Sequence, residues 1–126
     1  MNDQQIEKEI QAKGLTAPRV TPEEVEASIA MEFYFSAEHG VEGAMARGEL
    51  WARDAAGVVI GPAMTHITLC VIIMRNGHKI VGVNTGSVSD ANFDGELARK
   101  LARKNAVDQI WPLLGYDLRQ RLAAYG

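Results

Sequence analysis

The sequence predicts an α+β domain: a small antiparallel sheet built on a central hairpin, with an N-terminal helix and two C-terminal helices. Three observations carry that expectation. In MTHITLCVIIMRNGHKIVGVN, two apolar, β-branched runs flank Asn76-Gly77, the strongest short hairpin signal. Helical spacing of apolar residues recurs upstream, in TPEEVEASIAMEF, and downstream, in NFDGELARKLARKNAVDQI. The chain has 126 residues, of which 47% are hydrophobic, enough for one modest core and not for two.

Taken in order, residues 1–18 read as a polar tail or frayed helix, since only Ile6 and Ile10 repeat at i,i+4. Residues 19–126 form the single domain. Thr21, Pro22 and Glu24 make a capping box with proline at the first helical position. Val25, Ile29 and Phe33 then extend a helix over about 22–35. Residues 39–63 hold Gly40, Gly43, Gly48, Gly57, Gly61 and Pro62 and read as loop with room for a short element. Ile67–Met74 and His78–Val83 are the hairpin strands, joined by a type I′ turn. The loose alternation of the second strand suggests a sheet covered on both faces. A two-stranded hairpin is marginal alone, so a third strand is expected from 41–62 or from a partner subunit.

Beyond the hairpin, Ser89 is the expected N-cap of the next helix, with Asp90 in its first turn and Val88 and Phe93 as a hydrophobic staple. Phe93, Leu97 and Leu101 mark one buried face. Ala98, Ala102 and Ala106 mark a second, narrow stripe that lets another helix approach closely. Pro112 after Trp111 predicts an end or kink there. Leu118 and Leu122 then belong to a last short helix folded back over the hairpin. Phe33, Tyr34, Phe35, Trp111 and Tyr116 are core by default, and one could stack on a base.

Charge and composition narrow the function classes. The net charge is −3, but residues 1–60 sum to −6 and residues 91–126 to +2. That asymmetry argues against nucleic-acid binding, which wants a broad basic field, and allows a local anion site. No apolar run reaches the roughly 20 residues of a membrane span, so no membrane partner is expected. The polar MNDQQIEKEIQ lacks a signal-peptide core, so the default compartment is the cytosol. The single Cys70 lies in an apolar run and reads as a small buried hydrophobe. His39, His66 and His78 have no metal-ligand spacing, and no nucleophile elbow is present. No metal, no cofactor and no catalytic residue is therefore expected.

Two features remain for binding. The loop Asn84-Thr85-Gly86-Ser87-Val88-Ser89 feeds a helix N-terminus, where free N–H groups and the dipole favour an anion. It lacks the Gly-Lys-Ser/Thr ending of a phosphate loop, so an ordinary capped helix start is the plainer reading. Arg99 and Arg103 lie one turn apart, as do Lys100 and Lys104. Two guanidinium forks at that spacing suit a phosphate or pyrophosphate. A solvated face with Asp94 and Glu96 as local partners explains the same spacing.

Three segments resemble, in order, a family of small phage and prophage proteins: TPEEVEASIAMEFYFSAEHGVEGA, LCVIIMRNGHKIVG and NFDGELARKLARKNAVDQIWPLLGYDLRQRL. The last is the most specific, through NFD, the paired basic residues, NAV, IWPL and the GY-x-L-R ending. The likeness spans about residues 20–123 and departs at 47–63 and 84–91, where Asp90 stands in place of the family's usual proline. This family is associated with Thoeris anti-defence protein one. The resemblance implies a phage anti-defence sponge that holds cyclic nucleotide immune signals without cleaving them. Cyclic ADP-ribose isomers of Thoeris, and cyclic trinucleotides of CBASS, are the implied ligands. It further implies a homo-oligomer, hexameric or dimer-based, in the host bacterial cytoplasm, with sites at subunit contacts. Carried onto this sequence, Arg99 and Arg103 are the phosphate candidates, with Lys100 and Lys104 as electrostatic support. Asn92 is the polar residue of the NFD segment, and Asn84, Thr85 and Ser87 are ribose or phosphate candidates. The alternative is a host-takeover or structural phage protein acting through protein contacts.

Overall fold

In a computed structural model describing residues 2–51 and 62–125, the α+β class is as expected, with several element boundaries moved. The order is α1 (Asp3–Ala12), α2 (Pro22–Ala27), β1 (Ile29–Ser36), α3 (Ala37–Ala46), α4 (Pro62–Thr65), β2 (Thr68–Met74), β3 (Lys79–Asn84), a single 3-10 turn (Asp90–Asn92) and α5 (Gly95–Tyr125). The strands form one antiparallel sheet in the order β1-β2-β3.

The N-terminal segment is a helix. Asn2 and Gln5 cap it reciprocally, and Arg19 donates to the buried Glu7 carboxylate, which holds that group below its usual range. The Trp111 indole N–H also donates to Asp3, at 3.2 Å. Thr21 caps α2 as expected, accepting from the Glu24 N–H at 3.2 Å, but the helix stops at Ala27. The rest of the expected helix, 29–35, is β1. Among the described residues this is the third strand, in place of one from 41–62 or from a partner subunit. Its Phe33-Tyr34-Phe35 run favours the pleated state. A bulge between Ile29 and Met31 switches the phase, so Ile29 turns inward and Met31 outward. Part of the expected loop, Ala37–Ala46, is helical, capped by Ser36, whose hydroxyl accepts from the His39 N–H at 3.1 Å. Of the rest of that stretch, Pro62 opens α4, and 52–61 lie outside the described residues.

The hairpin forms where expected, with a different turn. Gly77 donates to the Met74 carbonyl at 2.9 Å and takes φ 88°. Arg75-Asn76-Gly77 is thus a three-residue loop with glycine in the left-handed position, in place of a type I′ turn.

One sheet face carries Cys70, Ile72, Met74, Ile80 and Gly82 against α5. The helix meets it through Ala98, Ala102, Ala106, Val107 and Ile110. This reverses the expected buried face: Leu97 and Leu101 are 53% and 43% exposed, while Ala102 and Ala106 are fully buried. Gly82 is the cause. A Cβ there would lie 2.3 Å from the Ala102 carbonyl oxygen, so only the small-residue stripe brings α5 this close. Consequently Leu97→Ala is expected to change stability by under about 1 kcal/mol, whereas Ile110→Ala costs about 2–4 kcal/mol; urea unfolding of both variants checks the contrast.

Pro112 lies inside α5, which runs unbroken for 31 residues; the two expected C-terminal helices are one. At ~46 Å it outreaches the strands, and its buried residues end at Ile110. Leu118 is half-buried and Leu122 exposed, neither folded back over the hairpin on a separate helix. Nor is the aromatic set core: Phe33, Tyr34, Phe35 and Tyr116 are exposed. The sheet's second face, expected to be covered, presents exposed Met31, Phe33, Phe35, Val81 and Val83. No helix among the described residues is long and apolar enough to cross a membrane.

Candidate functional site

The start of α5 is set by Asp94. Its carboxylate accepts from the Leu97 N–H at 3.0 Å, and its carbonyl from the Ala98 N–H at 2.9 Å. Asp94, not Ser89, is therefore the cap, and it places a negative charge where an anion was expected to bind. Ser89 precedes the 3-10 turn and makes no side-chain cap bond; Val88 is fully exposed, so no staple forms.

The loop before it folds on itself. Asn84 Oδ1 accepts from the Gly86 N–H at 3.0 Å, and the Ser87 hydroxyl donates to the Ser89 carbonyl at 2.6 Å. Gly86 has φ 86°, and a Cβ there would be 3.0 Å from His66 Cβ. Beneath the loop the His66 ring stacks on Phe93, centroids 4.0 Å apart, with Nδ1 3.3 Å from Asp90. Asn84, Ser87 and Asn92 border a small recess of about 90 Å³. Thr85 is exposed and lies outside that recess.

The basic cluster divides. Arg103 grips Glu26 with both forks, at 2.7 and 3.0 Å, and donates Nε to Glu32 at 2.6 Å. Those carboxylates raise its pKa above the ordinary arginine value, Glu26 contributing most. Arg103 thereby ties α5 to α2 and β1. Lys104 pairs with Asp108 at 2.8 Å, and Lys100 with Glu96 at 3.5 Å. These three cations border a cleft of about 430 Å³ between α1, α2 and α5, which Asp3, Glu26 and Asp108 also line. The cleft is thus balanced in charge.

Arg99 is different. Among the described residues it has no ion-pair or hydrogen-bond partner, and it lines a separate cavity of about 250 Å³. Tyr34 and Phe35 from β1, Phe93 before α5, and Glu38 and His39 from α3 share that cavity. Glu38 is held by the Thr65 hydroxyl, which donates to it. One cation, aromatic faces and an oriented carboxylate acceptor make a set that a nucleotide can use: phosphate on arginine, base on aromatic ring, exocyclic amine on carboxylate.

The sequence-predicted residues therefore fall in three places: Arg99 in the aromatic cavity, Lys100, Arg103 and Lys104 in the balanced cleft, and Asn84, Ser87 and Asn92 around the loop recess. Tyr34, Phe35, Glu38, His39 and Phe93 were not anticipated as neighbours of Arg99. The Ser36 cap was a readable signal that β1 passes directly into a helix there. Among the described residues no group of three or more His, Cys, Asp or Glu is placed to hold a metal ion.

The sequence profile of the phage protein (N4 Gp49/phage Sf6 gene 66) family matches residues 20–122. The chain belongs to that family. The N4 Gp49/Sf6 gene 66 match begins just before the Thr21 cap and ends inside α5, so it takes in the whole sheet and the Arg99 cavity and leaves α1 outside. Neither the curated proteins nor the solved structures yield a significant match.

Proposed function

We propose that this phage-family protein is an anti-defence sponge that binds a cyclic nucleotide immune signal and holds it without cleaving it. The observation that carries this reading is Arg99: of the four clustered cations it alone is unpaired among the described residues, and it borders an aromatic cavity. The resemblance to the family of Thoeris anti-defence protein one supplies the ligand class, cyclic ADP-ribose isomers first and CBASS cyclic trinucleotides second. At about 250 Å³ the cavity is smaller than the roughly 300–1,000 Å³ of pockets that bury a whole small molecule. One protomer therefore takes part of such a ligand, in keeping with a homo-oligomer, dimer-based or hexameric, working in the host cytoplasm.

The test is a thermal-shift screen of the full chain against cyclic ADP-ribose isomers and cyclic oligonucleotides, followed by heat denaturation and chromatography of the released ligand. A rise in melting temperature with at least one compound, returned intact, is the expected result. Return of a hydrolysed product would make the chain an enzyme. No shift with any of them would favour the alternative, a phage protein acting through protein contacts.

A further inference from the structure

Helix α1 is seated on the domain rather than built into it. It lies outside the matched residues 20–122 and rests in a groove between α2 and α5. Among the described residues two side-chain bonds join it to the rest: the Trp111 indole N–H donates to Asp3 at 3.2 Å, and Arg19 donates to Glu7. Ile6 and Ile10 complete the contact over Val20, Pro22 and Trp111. The fit is loose. A cavity of about 250 Å³ remains among these side chains, and Ile6 is still 43% exposed. Close-packed interiors leave few voids of that size. This cavity shares Asp3, Pro22 and Trp111 with the cleft of about 430 Å³.

We propose that this groove is a docking site for an acidic amphipathic helix of another protein, and that α1 is the resident stand-in which such a helix displaces. The pattern of α1 describes the partner. Asp3 and Glu7 lie one turn apart, and Ile6 and Ile10 each follow three residues later. Acid, apolar, acid, apolar at i, i+3, i+4 and i+7 fall on one helix face. Laying such a face into a groove is a recurring mode of recognition.

Charge and volume both favour that occupant. Without α1, the Trp111 N–H and Arg19 lose these acceptors, and the larger cleft keeps Lys100, Arg103 and Lys104 against Glu26 and Asp108. A neutral or basic helix leaves those donors unanswered. The residual cavity has room for apolar side chains larger than the two isoleucines. Filling it gives a foreign helix its advantage over α1, whose tether holds it at an effective concentration of millimolar order. No residue lines both this groove and the Arg99 cavity, so the docking site is separate from the nucleotide site and does not rest on it.

Fluorescence anisotropy of a labelled peptide against the full chain tests this. The peptide copies residues 2–13 with Ile6→Phe and Ile10→Leu. It is expected to bind the wild type with a Kd below about 1 mM. A second peptide that also carries Asp3→Lys and Glu7→Lys should bind at least about 10-fold more weakly. Two variants of the protein then break one ion pair from opposite sides. Glu7→Gln loosens the resident α1 and leaves the groove intact, so the first peptide should bind at least about five-fold tighter. Arg19→Ala also loosens α1 but removes a groove donor, so the peptide should bind no tighter than to the wild type. Far-UV circular dichroism checks that each variant folds; should one fail, the peptide pair and the other variant still decide. No binding up to about 1 mM by either the wild type or Glu7→Gln overturns the proposal. So do equal affinities for the two peptides, or equal tightening by the two variants. A peptide that binds while halving the sedimented mass also overturns it, because α1 then sits across copies of this chain and the groove is a subunit contact.

Discussion

Gly82→Ala is expected to destabilise the protein by about 3 kcal/mol, the upper end for an overpacked core, and Gly82→Val to prevent folding. The added Cβ would sit 2.3 Å from the Ala102 carbonyl oxygen and 2.6 Å from both the nitrogen and Cβ of Ala106. Neighbouring backbone cannot swing aside as the end of a long side chain does. Relief requires the whole of α5 to lift from the sheet, which opens the contacts of Ala98, Ala102, Ala106 and Ile110 together. Arg99 rides on the same helix, so the shift would also carry the candidate site away from Tyr34 and Phe35 on β1. Urea unfolding gives the number: the midpoint should fall with little change in slope if the denatured state is unaffected. A loss below about 1 kcal/mol would mean that the helix slides without cost, and the account of why the alanine stripe is buried would fail.

The same contact explains what could and could not be read from the chain. Thr21-Pro22, the two hairpin strands and the helical C-terminal region were legible because each is specified by neighbours a few residues away. Residues 29–35 look helical because Val25, Ile29 and Phe33 fit a 3.6-residue period by coincidence, while the bulge between Ile29 and Met31 breaks the two-residue alternation that marks a strand. The buried side of α5 depends on a residue with no side chain on another element. Leucine at 97 and 101 looks more hydrophobic than alanine at 98 and 102, but the strand opposite decides which side comes close. Ser89 is the better cap by composition, whereas the 3-10 turn after it leaves Asp94 as the residue whose carboxylate meets the Leu97 N–H of α5. The candidate site follows the same rule. Arg99 and Arg103 are equivalent by helical spacing. They are told apart by Glu26 and Glu32, 77 and 71 positions from Arg103 in the sequence.

That distinction sets the second large expected effect, a division of labour between two arginines one turn apart. Arg103→Ala should lower stability by about 1–2 kcal/mol: it removes charge-assisted hydrogen bonds to two carboxylates and leaves Glu26 and Glu32 facing each other unneutralised. The loss stays modest because Glu26 is half-exposed and solvent screens what remains. Arg99→Glu should leave stability within about 0.5 kcal/mol, since no bond among the described residues is lost. Under the proposed function it should weaken binding by at least about 100-fold for whichever cyclic ADP-ribose isomer gives the largest thermal shift, because a carboxylate replaces the cation proposed to take the pyrophosphate. Calorimetric titration and urea unfolding of both variants separate the cases. If Arg103→Ala, still folded, loses the ligand while Arg99→Glu retains it, the site is the cleft between α1, α2 and α5, where Lys100 and Lys104 would then be the supporting charges. The charge balance there argues for the opposite result: a phosphate entering that cleft would have to displace Glu26 from both forks of Arg103, whereas at Arg99 no carboxylate need be displaced.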